Sequence, residues 1–141
     1  MSFDREVLAE RAAAVERHLA RVASRLPAEA SEMHPMSDAT DAVVLHLWQA
    51  TQIVIDLAVS ACVRFGLGSP ASYSEAFRRL ARADVLDPDL ADRLARAAGF
   101  RNLVAHAYES LDLARVHDAA SRGPPDLRAF VRALARGAPP L

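Results

Sequence analysis

Lysine is absent from the 141 residues, and all 17 basic side chains are arginine. Cysteine occurs once, as Cys62, which excludes an internal disulfide framework and a cysteine-built zinc site. Asparagine also occurs once, as Asn102. An excess of either charge is missing, because 17 basic and 18 acidic side chains leave a formal net charge of −1. A large, uniformly basic surface is thereby excluded, and any contact with nucleic acid has to be local. The first ten residues have no apolar core and carry Asp4, Glu6 and Glu10, so they do not form a secretory signal. The most apolar run, 42–63, is long enough to cross a bilayer but contains His46, Gln49, Gln52 and Asp56. An aspartate in the middle of a lone span is costly. The expectation is a buried helix of a soluble, cytoplasmic protein with no membrane partner.

At about 100–200 residues per domain, this length predicts one domain over 1–141. A chain of this size buries roughly two thirds of its unfolded surface and needs neither disulfide nor metal to fold. The 30 alanines and the many arginines, set against scarce isoleucine and asparagine, resemble the coding bias of a GC-rich genome. Arginine count alone therefore carries no functional signal, and residues that run against the bias gain interest.

Helical periodicity dominates. Ser2 is placed to cap a first helix in which Val7, Leu8, Val15, Leu19, Val22 and Leu26 recur at spacings of three, four and seven, and Pro27 ends it. A loop over 27–38 leads to a long second helix from about Ala39 to Phe65, closed by Gly66. Ser72 and Glu75 have capping-box spacing and open a third helix to about Ala83. Asp87-Pro88 starts a fourth, expected to run through Arg101 to near Ser110. A short fifth helix over Leu111–Ser121, a break at Gly123-Pro124-Pro125, and a last amphipathic helix from Asp126 to Arg136 complete the reading. The fold class is all-α, a bundle of about five to six helices built around the first, second and fourth.

The chemistry concentrates between Ala97 and Asp112. On a helical wheel at about 100° per residue with Arg101 at zero, Asn102 falls near 100°, His106 near 140°, Tyr108 near −20° and Glu109 near 80°. Phe100, Leu103, Val104, Ala107 and Leu111 gather on the opposite side, so one face is expected to pack and the other to collect polar groups around Ala105. A guanidinium can grip a phosphate through two parallel hydrogen bonds and stabilise charge on its oxygens. A histidine can take a proton from a ribose 2′-hydroxyl or give one to a leaving group. The same residues also suit the wet face of any amphipathic helix.

Phe100-Arg101-Asn102-Leu103-Val104-Ala105-His106-Ala107-Tyr108 resembles the signature of the HEPN superfamily, and more narrowly the Arg-x4-His-x-Tyr form of HepT-like toxins. Gln52 to Ala58 resembles the family's Gln-x-x-x-Asp-hydrophobic-Ala stretch, Gly66 to Pro70 its glycine-containing turn, and Tyr73 to Leu80 the approach to the motif helix. The resemblance covers roughly 40–135. It implies an all-α, homodimeric endoribonuclease that needs no cofactor or metal. That enzyme is the toxin half of a type VII toxin–antitoxin pair, silenced when a minimal nucleotidyltransferase antitoxin transfers AMP to the motif tyrosine. Carried over, Arg101 and His106 are the catalytic pair, Asn102 supports them, and Tyr108 is the modification site. Ala107 and Ala105 depart from the family, which more often has an acidic and a larger apolar residue there. An alternative from a different class is a non-catalytic nucleotide- or substrate-binding subunit beside a nucleotidyltransferase.

Asp56 has two readings, as an orienter of Arg101 or His106 and as a buried or helix-exposed carboxylate paired with some other arginine, and Glu109 is a possible supporting group. His46 and Gln49 read as packing or interface residues. His18, His34 and His117 lack ligand spacing, so no metal site is expected. Trp48, Phe65, Phe77 and Phe130 read as core. The acids between Leu26 and Val63, where no arginine occurs, read as a solvated face.

Overall fold

The computed structural model describes residues 4–137. Five α-helices follow one another: α1 (Arg5–Arg25), α2 (Asp38–Arg64), α3 (Tyr73–Arg82), α4 (Pro88–Ala107) and α5 (Leu113–Ala135). Short 3₁₀ turns occupy Ala30–Glu32 and Tyr108–Ser110.

The helix starts follow from side chains that accept otherwise unpaired backbone N–H groups. Asp4 caps α1 by accepting from Glu6 N at 2.8 Å; the expected cap, Ser2, lies outside the described residues. Ser37 caps α2, accepting from Thr40 N at 3.2 Å, and Ser72 caps α3, accepting from Glu75 N at 3.1 Å. The reciprocal half of the capping box at Ser72 is not made, because Glu75 accepts instead from Arg79 at 3.2 Å and Arg82 at 2.7 Å. Asp87 caps α4 with Pro88 in its first turn. Gly66 ends α2 at φ +74°, a left-handed conformation open to glycine at little cost, and Leu67 N donates back to Cys62 O at 2.8 Å.

The C-terminal third differs from the reading of two short helices. α5 runs unbroken through Gly123, Pro124 and Pro125. Two prolines inside a helix leave two carbonyls without their usual donors, at about 3 kcal/mol or more each. Tertiary packing overrides that cost. Val116 and Ala120 before the prolines, and Leu127, Phe130 and Leu134 after them, form one buried stripe. Eleven residues separate Val116 from Leu127, close to three whole turns, so only an unbroken helix buries both halves on the same side. Arg128 also reaches Glu16 on α1 at 2.8 Å, and Arg93 on α4 reaches Asp126 at 3.1 Å.

The centre of the bundle also differs from expectation. α2 touches α1, α3, α4 and α5, whereas α1 and α4 do not meet. This explains the apolar 42–63 run: α2 is long and apolar enough to cross a membrane, yet half of its most apolar stretch is buried against the other helices. One core cluster joins α1, α2, α3, α4 and α5 around Phe77 and Phe130, whose rings meet edge to face at 5.6 Å. A second, around Val22, Met33, Leu47, Val104 and Val116, supports the C-terminal half of α4. Trp48 and Phe65, expected in the core, are only partly buried at its edges.

Candidate active site

Val104 is buried and Phe100 partly so, and between them they fix the rotation of α4 in the bundle. Leu103, expected on the packed face, is instead 37% exposed. With this rotation Arg101 lies half-buried between helices, while Asn102, Ala105 and His106 face outward.

The Arg101 guanidinium carbon lies 4.9 Å from the centre of the Trp48 ring on α2 and 5.9 Å from that of Tyr73 at the start of α3. Attraction between a cation and an aromatic face suits arginine, whose flat group stacks where an ammonium would not. Nη1 donates to the Asn102 side-chain oxygen at 3.1 Å. Nε is buried and has no hydrogen-bond partner among the described residues. No carboxylate lies within 4 Å of Arg101 among the described residues, so the guanidinium is held by rings and one amide, without a neutralising charge. An anion arriving here would meet an uncompensated cation with free donor capacity.

His106 stands exposed one and a half turns further along α4, with no hydrogen bond to Asn102. The Asn102 oxygen goes to Arg101. Five residues of helix separate the arginine from the histidine by about 7.5 Å along the axis and about 140° around it, so the two side chains of one subunit diverge.

Tyr108 leaves the wheel. α4 ends at Ala107, whose φ of −141° and ψ of 38° break the helix, and Tyr108 opens the 3₁₀ turn. Its hydroxyl donates to Asp41 Oδ1 in the first turn of α2. Expected beside Arg101 near −20°, the tyrosine is therefore tethered to α2. The hydrogen bond to the carboxylate, then partial burial and the negative charge, push the Tyr108 hydroxyl up to about 12. A groove of about 350 Å³ lies beside it, lined by Asp41, Val44, Leu45, Trp48, Val104 and Tyr108 among others. Trp48 thus borders the Tyr108 groove and carries Arg101 on its ring. Glu109 is exposed in the same 3₁₀ turn.

Asp56 is exposed and accepts from Gln52 Nε2 at 2.8 Å, on α2 itself; it makes no ion pair with Arg101 or His106. His46 meets His18 of α1, Nδ1 to Nδ1, at 3.0 Å. Among the described residues no three His, Cys, Asp or Glu side chains converge. Asp41, Trp48 and Tyr73 were not read from the sequence as site residues. Each lies at least 28 positions from its partner on α4 or in the turn after it, and nothing local announces the pairing.

Comparison with known proteins agrees with this architecture. The crystal structure of a tri-AMPylated HEPN toxin from Shewanella oneidensis, in complex with an MNT antitoxin, superposes with a TM-score of 0.83 at 22% identity, over 94% of this chain and 99% of that one. A toxin–antitoxin structure with AMP-PNP superposes at 0.82 and 23% identity, over 93% and 99%. At these identities the likeness concerns the fold. The mRNA nuclease HepT of Shewanella oneidensis is 33% identical over 73 residues, which span 52% of this chain and about half (55%) of that protein. The family described as Ribonuclease HepT-like matches residues 13–134, from the first half of α1 to the end of α5 and including Arg101, His106 and Tyr108. The all-helical bundle and the motif helix at its edge are thus those of a known group, and the chain belongs to the HepT-like ribonuclease family.

Proposed function

We propose that this protein is a toxin that cleaves RNA without a metal, with Arg101 and His106 as its catalytic pair. The observation that carries the reading is the Arg101 guanidinium, half-buried against Trp48 and Tyr73 with no carboxylate partner among the described residues. A phosphodiester drawn to that cation has its negative charge stabilised as a 2′-hydroxyl attacks the adjacent phosphorus. His106 is open to solvent, as a residue exchanging protons with a bound RNA must be. The 2′-hydroxyl loses its proton to His106 as its oxygen bonds to phosphorus, the bond from phosphorus to the 5′ oxygen breaks, that oxygen takes up a proton from the imidazolium, and a 2′,3′-cyclic phosphate remains.

The divergence of Arg101 and His106 within one subunit supports a homodimer whose motif helices meet, so that the arginine of one chain and the histidine of the other share a phosphate. Exposed Leu45 beside the Tyr108 groove gives that face apolar surface to bury. Asn102 holds the guanidinium edge-on and is a positioning residue.

Tyr108 is proposed as the acceptor of AMP from a cognate minimal nucleotidyltransferase antitoxin. As the phenol it donates a hydrogen bond to Asp41; as a phosphodiester it has no hydrogen to donate and carries a negative charge beside that carboxylate. Modification would therefore turn an attraction into a repulsion, displace the 3₁₀ turn and place a bulky anion next to Trp48 and the cleft.

Growth arrest on expression, and the 3′ ends of RNA cut by purified protein, test the nuclease reading. Arg101→Ala and His106→Ala should each abolish both effects, and wild-type products should end in cyclic phosphate. Cleavage that survives His106→Ala overturns it. A protein that stays monomeric in sedimentation while cutting RNA overturns the shared site.

A further inference from the structure

On the other side of α4, away from His106, the helix separates from α5 and leaves a cavity of about 540 Å³. Its floor is apolar: Leu47, Leu94 and Leu127 are buried, and Phe100 and Ala97 are half-buried. Its rim carries four arginines and two aspartates. Two of the arginines are already neutralised from within the rim. Arg93 Nε lies 3.1 Å from Asp126, and Arg122 Nε lies 2.9 Å from Asp118. Arg96 on α4 and Arg115 on α5 have no carboxylate within 4 Å among the described residues, and they stand on opposite walls. The cavity therefore presents two uncompensated guanidiniums over an apolar floor with one aromatic ring, that of Phe100.

We propose that this cavity is an accessory site for a nucleoside monophosphate unit, separate from the Arg101–His106 cleft. The volume falls in the range of small-molecule sites, roughly 300–1,000 Å³. A dianionic phosphate matches the two free guanidiniums in charge and can accept the paired hydrogen bonds each offers. A flat base covers the apolar floor and stacks on Phe100, a contact that tolerates any base. The unit can come from a free nucleotide or from the terminus of an RNA chain bearing a 5′-phosphate.

The test measures binding to the purified full chain by calorimetry, with AMP, UMP, adenosine and a short 5′-phosphorylated oligoribonucleotide as probes. Arg96→Ala/Arg115→Ala removes the free charges, and Ala97→Phe fills the floor while keeping every charge. The oligoribonucleotide is also titrated into His106→Ala protein, so that cleavage does not consume it. Either AMP and UMP, or the oligoribonucleotide alone, should bind, and both variants should weaken that binding at least tenfold. The first outcome identifies a free nucleotide as the source and the second an RNA terminus. Adenosine binding as tightly as AMP, binding unchanged in both variants, or no binding of any probe each overturn the proposal. Circular dichroism confirms that the variants fold. RNA cleavage is expected to survive Arg96→Ala/Arg115→Ala, so failure of this site and failure of the catalytic reading are told apart.

Discussion

The tether between Tyr108 and Asp41 makes a claim that can be measured directly. It joins the residue after α4 to the first turn of α2, across 67 positions. A hydrogen bond to a charged group contributes about 1.5–3 kcal/mol when fully buried. Tyr108 is 42% exposed, and solvent screening lowers that to about 1 kcal/mol. Asp41 also gains from its place near the N-terminus of α2, so Asp41→Asn alone mixes two effects. A cycle of Asp41→Asn, Tyr108→Phe and the double variant isolates the pair. Urea unfolding near neutral pH should return a coupling of about 1 kcal/mol, and Asp41→Asn should lower Tm by about 2–5 °C.

The pH dependence has a definite sign. The folded-state value of Tyr108, about 12, lies above the ordinary tyrosine value of 10.0. The contribution is therefore fully present below pH 10 and is lost as pH rises through 12. Tyrosinate absorbance should show one of the two tyrosines titrating late in wild type and earlier in Asp41→Asn. A coupling below about 0.3 kcal/mol, together with unchanged titration, would refute the tether.

Three further outcomes follow from other parts of the molecule. Arg101→Lys keeps the charge but loses the flat group that stacks on Trp48 and Tyr73, so RNA cleavage should fall at least tenfold, and near-wild-type rates would show that the aromatic bracket is dispensable. Partial burial, and next its partner imidazole, push His18 down; burial, and next Arg21, push His46 down. The unfolded chain then takes up protons more readily than the folded one, so stability should decline as pH drops below 6.5, and His46→Gln should flatten that decline in urea titrations at a series of pH values. Pro124→Ala/Pro125→Ala should raise Tm, because alanine restores donors inside α5; a helix-interior proline costs about 3 kcal/mol, of which the gain in unfolded-chain freedom cancels up to about 1 kcal/mol per site. A lower Tm would mean that the prolines are accommodated without strain.

The Gly123-Pro124-Pro125 segment shows where local signals stop being decisive. Proline chemistry within a few residues argues for a break, and the unbroken helix forms because Val116 and Ala120 before the prolines and Leu127 and Phe130 after them lie on one face of α5, the first pair buried in the second core cluster and the other pair in the first. The end of α4 is a similar case. The apolar period carries the helix past Tyr108, but a contact with Asp41 on α2 accompanies an earlier stop at Ala107. Only a regular helix would bring Tyr108 round beside Arg101, and that stop turns it toward α2 instead. Asp56, read as an orienter of Arg101 or His106 or as the partner of another arginine, is exposed on α2 and accepts from the half-buried Gln52 instead.

What the sequence determined by itself is everything written in short-range code. Caps at Ser72 and Asp87, the glycine stop at Gly66 and the 3.6-residue period set the helices, and Arg-x4-His-x-Tyr pointed to the family. The tertiary structure alone decided which distant side chains share space. Arg101 rests on Trp48, 53 positions earlier, and on Tyr73, 28 positions earlier, and Tyr108 reaches Asp41. α2 became the centre of the bundle because it is the helix apolar enough on several sides to be covered by four others. No periodicity encodes such meetings, because they depend on how the helices pack, and packing is settled by the burial of all five faces at once.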